Sequence, residues 1–204
     1  MVAIAVIIIL GGIFYFSQRQ PATGPAALNQ SDQQQAANQL LNQPGEQKDT
    51  TITKDNFSIL MPLGWKETRA LPGLAMMAIN FGEQITDPAL QKINFKTNYA
   101  VGFDTMDTRK YRNFSEYVEH VKTLTSQMAP GVVFGAEQDQ TIGANKVHTI
   151  EASLTQAGMD FQTLIAVIPG NNNDVWTITF NTPKVSWDSY QTTFKQILAS
   201  FKIK

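Results

Sequence analysis

Residues 98–128 read NYAVGFDTMDTRKYRNFSEYVEHVKTLTSQM, and the apolar period changes inside this stretch. Tyr99, Val101 and Phe103 alternate, which predicts a strand over 98–106 with those three side chains on one face. From Phe114 the spacing lengthens. Phe114, Tyr117, Val118, Val121, Leu124 and Met128 form an apolar stripe along one side of a helix. Asn113 followed by Glu116 predicts a capping pair at its start, and Pro130-Gly131 predicts its end.

Working outward, Thr51–Thr53 and Phe57–Met61 read as a hairpin around Lys54-Asp55-Asn56, and 74–81 as a strand after Pro72-Gly73. Asp87-Pro88 marks a loop. Beyond the helix, Val132–Glu137 leads through a turn at Gly143 to two long strands, Lys146–Thr155 and Met159–Ile168, joined tightly by Gln156-Ala157-Gly158. Pro169-Gly170 and Asn171–Asp174 form a turn, and Val175–Asn181 directs Trp176, Ile178 and Phe180 to the core. A last helix, capped by Ser186, repeats Trp187, Tyr190, Phe194, Ile197, Leu198 and Phe201 at helical spacing. The expected fold class is α+β: a mostly antiparallel sheet of about seven strands, packed with two amphipathic helices, in a domain over 50–204.

What precedes that domain differs in kind. Residues 1–16, MVAIAVIIILGGIFYF, carry no charge and no polar face, so 1–17 is expected to be a transmembrane anchor. Sixteen helical residues span about 24 Å, short of a roughly 30 Å hydrocarbon core, and Ser17 extends the reach. No basic start and no nearby Ala-x-Ala site accompany it, which favours an uncleaved anchor over a removed export signal. Residues 18–49 are rich in Gln, Asn, Ala and Pro with few large apolar side chains. Such a composition cannot offset the entropy of ordering, and a disordered tether is expected. Basic residues are scarce between Arg19 and Lys48, and the domain is expected on the extracytoplasmic side of the cell membrane.

Composition narrows the chemistry. From Thr50 onward, 14 Lys and Arg meet 14 Asp and Glu, which lacks the basic excess of a nucleic-acid binder. The chain has no cysteine, so thiol nucleophiles, thiolate metal sites, disulfides and lipoprotein acylation are all absent. Its stability must come from an apolar core, and a domain of this size buries roughly 70% of its unfolded surface.

The individual site candidates are weak. His120 lies at the edge of the helix stripe. His148 and Glu151, three apart in a strand, point to opposite faces. No G-x-S-x-G occurs, and no triad is displayed, so no catalytic residue is assigned. The acidic and amide groups Asp104/Asp107, Glu137/Asp139 and Asn171–Asp174 lack EF-hand spacing, so no metal or cofactor is assigned either. Arg109-Lys110-Tyr111-Arg112, just before the helix, is the candidate interaction surface for an anionic lipid or an acidic partner, with a solvated loop as the plainer reading. Trp65, after Pro62 and Gly64, is either an exposed aromatic of such a surface or a buried corner plug.

Three spots coincide with a known pattern: Phe57–Trp65 (FSILMPLGW), Ile142-Gly143 before a long hairpin, and Trp187–Ile203 ending in Ser200-Phe201-Lys202-Ile203. On these the domain resembles the PsbP-like and Mog1-like superfamily, which includes the DcrB type. The resemblance covers 50–204 and implies a non-enzymatic accessory or binding domain, often at a membrane surface, whose target varies between members. It carries over no functional residue. The resulting expectation is a membrane-anchored extracytoplasmic binding module serving an envelope protein or a small ligand. The alternatives are a carrier of a small apolar ligand held between sheet and helices, and an envelope enzyme with an unrecognised site, for which Glu151, His148 and Asp160 would have to converge.

Overall fold

A computed structural model describes residues 49–204 other than 69, 71 and 72. The expected anchor over 1–17 and the tether expected over 18–49, apart from Asp49, lie outside the described residues. No helix among the described residues is long and apolar enough to cross a membrane.

Among the described residues, ten strands and three α-helices follow one another in this order: β1 (Thr50–Thr53), β2 (Phe57–Met61), β3 (Trp65–Thr68), β4 (Leu74–Asn80), α1 (Pro88–Lys92), β5 (Asn98–Thr105), α2 (Phe114–Met128), β6 (Val133–Ile142), β7 (Asn145–Gln156), β8 (Met159–Pro169), β9 (Asp174–Pro183), α3 (Trp187–Ser200) and β10 (Lys202–Ile203). The α+β class and the antiparallel pairing agree with the sequence. The count of about seven strands and two helices is corrected, because β3, β10 and the five-residue α1 are too short to show a period. Nor is there a single sheet. Seven strands pair in the order β3-β4-β5-β9-β8-β7-β6, and β1, β2 and β10 form a separate small sheet.

The layers follow from strand parity. Even-numbered side chains of β8 and β9, among them Ala166, Ile168, Trp176, Ile178 and Phe180, join Phe57, Ile59 and Met61 of the small sheet and Phe194, Ile197 and Leu198 of α3 in the main core. Odd-numbered Ile165, Val167 and Val175 face the other way and pack with Tyr117, Val118 and Val121 of α2. The large sheet is therefore covered on both faces, by α3 and the small sheet on one and by α2 on the other. Met76 belongs to the main core, and Met77, on the opposite face of β4, is buried as well. The two-sided cover explains why Thr177 and Thr179 are buried in β9: each short side chain fills the α2 side of a strand whose large residues face α3.

Side-chain bonds join the layers. Tyr99 Oη donates to the Leu60 carbonyl at 2.9 Å, linking the centre of the large sheet to the small one. Its phenol is pushed far above the ordinary tyrosine value, first by burial and then by the negative charge of Glu67. At the sheet end nearest Asn98, Thr97 Oγ1 donates to Glu83 at 2.8 Å, and the Tyr190 hydroxyl meets Asn80 and Glu83. This polar set fixes the start of α3 against β4. Ser186 occupies the cap position of α3, but its side chain makes no capping bond, contrary to expectation.

Trp65 settles as the corner plug. It is 6% exposed and packs on Tyr99 and Tyr190, with ring centroids 5.5 and 6.4 Å away. Its amide donates to the Pro62 carbonyl at 3.0 Å, closing a turn in which Gly64 has φ +83°. Glycine adopts that conformation without strain, so the turn can fold the aromatic ring inward. As a member of an exposed surface, Trp65 is ruled out.

Candidate interaction surface

The basic run lies where β5 leaves the sheet. Thr105 pairs with Asp174 at the end of the ladder, and Met106 N donates to the Asn173 carbonyl at 2.8 Å. The chain then turns around Asp107, whose backbone oxygen accepts from the amides of Lys110 and Tyr111 at 2.9 and 3.0 Å. Asp107 also binds Arg109 through both carboxylate oxygens, each at 3.0 Å. These hydrogen bonds hold the Asp107 carboxyl below its ordinary range and raise the Arg109 guanidinium.

Next comes the helix start. Asn113 Oδ1 accepts from Glu116 N at 3.0 Å, as the capping pattern predicts. The return arm of the box is displaced by one residue: Glu116 accepts from the Arg112 amide at 2.8 Å and from Arg112 Nε at 2.6 Å. Arg112 in turn lowers the Glu116 carboxyl through the same bonds. Both guanidinium side chains remain almost fully exposed despite these pairs. Exposed pairs add little stability, and each guanidinium is paired here with a carboxylate close to it in the chain.

Tyr111 alone of the run turns inward. Its ring meets Tyr117 edge-on at 5.4 Å and His120 at 5.0 Å. Tyr117 donates to Asp104 Oδ2 at 2.8 Å, and burial together with that bond drives its phenol far upward. The His120 imidazole is lowered, chiefly by burial, and its Nε2 is enclosed without a hydrogen-bond partner. Neutral imidazole is thus the favoured form beneath the loop. The inward ring gives the Arg109–Arg112 loop an aromatic root that the sequence pattern did not reveal.

Farther along the α2 face, Lys122 Nζ lies 2.7 Å from Glu137 and 3.1 Å from Glu119. His148 sits between Glu137 at 3.4 Å and Asp139 at 2.8 Å. Glu137 is lowered mainly by its bond to Lys122, and Lys122 is raised by the same bond. These groups satisfy one another. Among the described residues no three His, Asp or Glu side chains come together as a metal-binding set.

His148, Glu151 and Asp160 do not converge. His148 lies on the α2 face with Asp139, whereas Glu151 lines a cleft on the α3 side. Asp160 is bonded to Thr155 at the β7–β8 turn. The cleft itself, about 220 Å³, is bounded by Gln138, Gln140 and Glu151 of the sheet and by Trp187, Gln191 and Lys195 of α3.

Comparisons with known proteins agree with this architecture. A family model described as PsbP matches residues 48–203. The solution structure of cyanobacterial PsbP (CyanoP) from Synechocystis sp. PCC 6803 is similar at 17% identity and a TM-score of 0.54, covering 81% of this chain and 99% of that one. LpqN, described as involved in cell envelope biogenesis of Mycobacterium tuberculosis, is similar at 11% identity and a TM-score of 0.52, covering 89% and 99%. The Ran-binding protein Mog1p of Saccharomyces cerevisiae is similar at 13% identity and a TM-score of 0.51, covering 76% and 95%. At these identities the likeness is one of fold. No curated protein sequence matches the chain.

Proposed function

The chain belongs to the PsbP family, and on that premise we propose that it is a non-catalytic accessory module, anchored in the cell membrane through residues 1–17 and acting outside the cytoplasm by binding an envelope protein. The observation that carries this reading is the Arg109–Arg112 loop. Two guanidinium groups are held outward by Asp107 and Glu116 on a loop rooted by Tyr111, which is a surface built for contact and not for chemistry. The partner it suits is an acidic protein surface. The description of LpqN as involved in cell envelope biogenesis is in keeping with the extracytoplasmic placement, as is the uncharged segment over 1–16.

A photo-crosslinking side chain at Lys110 in the full-length chain, expressed in its own cells, tests the proposal. Crosslinks to an envelope protein that vanish when Arg109 and Arg112 are both changed to Glu support it. Crosslinks unaffected by that charge reversal would sink it. Protease added to intact cells should cut the domain and leave its anchor in the membrane fraction; protection until lysis would contradict the placement.

The carrier reading rests on the cleft beside α3. At about 220 Å³ that cleft is smaller than the roughly 300–1,000 Å³ of ordinary ligand sites, and a wider hollow of about 430 Å³ beside Phe114, Val147 and His148 is shallow and open to solvent. The carrier reading therefore ranks second.

A further inference from the structure

The exposed large apolar side chains are not scattered. Among the described residues there are six, Leu63, Phe81, Phe103, Met128, Val133 and Val185, and the strand register places five of them at one end of the large sheet. Phe81 follows Asn80, whose amide donates to Thr97 at the start of β5, and Leu63 lies in the adjoining turn, where Gly82 N donates to the Gly64 carbonyl at 3.1 Å. Val185 follows Pro183, the partner of Phe161. Val133 pairs with Ser153, and Ser153 pairs with Gln162 beside it. Met128 precedes Ala129, which packs with Leu154 and Phe161. Phe103 alone stands toward the opposite end, against Trp176.

Single exposed apolar residues are ordinary on a soluble surface, so their segregation is what calls for a cause. Exposure is high: Val185 is 90% exposed, Val133 64% and Leu63 54%. The same end receives the chain from residues 1–48. Asp49 Oδ1 accepts from the Leu63 amide at 2.9 Å, so the first described residue is bonded to the apolar rim itself. The Arg109–Arg112 loop lies at the other end, beyond the Thr105–Asp174 pair.

We propose that this end of the domain rests on the lipid bilayer, with Leu63, Phe81 and Val185 entering the interface and the Arg109–Arg112 loop turned away toward the partner. The proposal rests on the anchored-module reading above and adds an orientation to it. Both signs of charge occur on the rim, Lys66, Lys96 and Lys184 beside Glu83, Asp160 and Asp188. The contact is therefore apolar in origin and does not depend on anionic lipid.

Because the chain has no cysteine, single cysteines can report on each end. Full-length variants Leu63→Cys, Val185→Cys and, at the distal end, Asn172→Cys are labelled with an environment-sensitive fluorophore and reconstituted in phosphatidylcholine vesicles, with and without phosphatidylglycerol. The expected result is a blue shift and quenching by bilayer-borne nitroxide lipid at 63 and 185, none at 172, and no change with phosphatidylglycerol. Equal, water-like emission at all three sites in chain that floats with the vesicles overturns the contact and leaves the anchor standing. Chain that does not float overturns both. A blue shift at 63 and 185 without nitroxide quenching means that protein covers the rim, and the bilayer contact falls.

Discussion

The side-chain amide of Asn145 donates to the Phe201 carbonyl at 2.7 Å, pinning the β6–β7 hairpin to the end of α3. Two residues earlier, Gly143 has φ +61°, and a Cβ there would stand 2.5 Å from the Ala199 carbonyl oxygen. Gly158, in the β7–β8 turn, has φ +78° with open space around it. Gly158→Ala should therefore cost about 1 kcal/mol, the backbone contribution alone. Gly143→Ala should cost about 1–3 kcal/mol more, since backbone must move. Urea unfolding of the two variants compares them directly; equal midpoints would refute the contact.

Trp65→Ala should lower stability by about 3–5 kcal/mol, as expected for a large ring removed from a packed core. Arg109→Ala with Arg112→Ala should leave the melting temperature unchanged, because both side chains are exposed. The pair of measurements separates the plug from the surface. A mild effect of Trp65→Ala would contradict its place in the packed corner.

The phenols set an alkaline limit. Tyr99 and Tyr117 are raised in the folded chain, by burial first. Below an ordinary tyrosine value of about 10 neither state ionises, so stability is flat with pH on their account. Above it the unfolded chain loses phenolic protons that the folded chain keeps, and stability falls as pH rises. Phenolate absorbance should therefore appear together with loss of near-ultraviolet circular dichroism, and separate transitions would contradict this.

On the acid side the direction reverses. Glu137 is lowered through Lys122, so its contribution is present above the ordinary glutamate range and is lost as pH falls through the folded value. Lys122→Met should move the Glu137 carboxyl upward in a carbon-detected NMR titration. An unchanged titration would show that the 2.7 Å pair does not persist in solution.

Elements with a long period or a tight turn could be read from the chain. The α2 stripe from Phe114, the hairpin around Gln156-Ala157-Gly158 and the first hairpin all lie where expected. What escaped was short or distant. β10 is two residues pairing with β2, and α1 is one turn capped by Asp87. Neither leaves a periodic trace. The two-sided cover of the large sheet was hidden in Thr177, Thr179 and Asn181, polar residues that read as solvent-facing yet are buried on the α2 side. At the candidate surface, Arg109 and Arg112 were legible as charge. Tyr111 was not legible as a root, because its contacts with Tyr117 and His120 depend on the angle at which the loop enters α2.

The small sheet is assembled from both ends of the domain: β10 pairs with β2, and Leu60 N donates to Ser200 Oγ across 140 residues of sequence. Contacts of that separation form late, because the loop they close must be ordered first. The main core is roofed by this sheet, so it cannot be sealed while the last strand is still missing. A chain interrupted before Lys202 would leave Phe57 and Ser58 of β2 without their β10 partners, so the edge of the small sheet is closed only by the last residues to arrive.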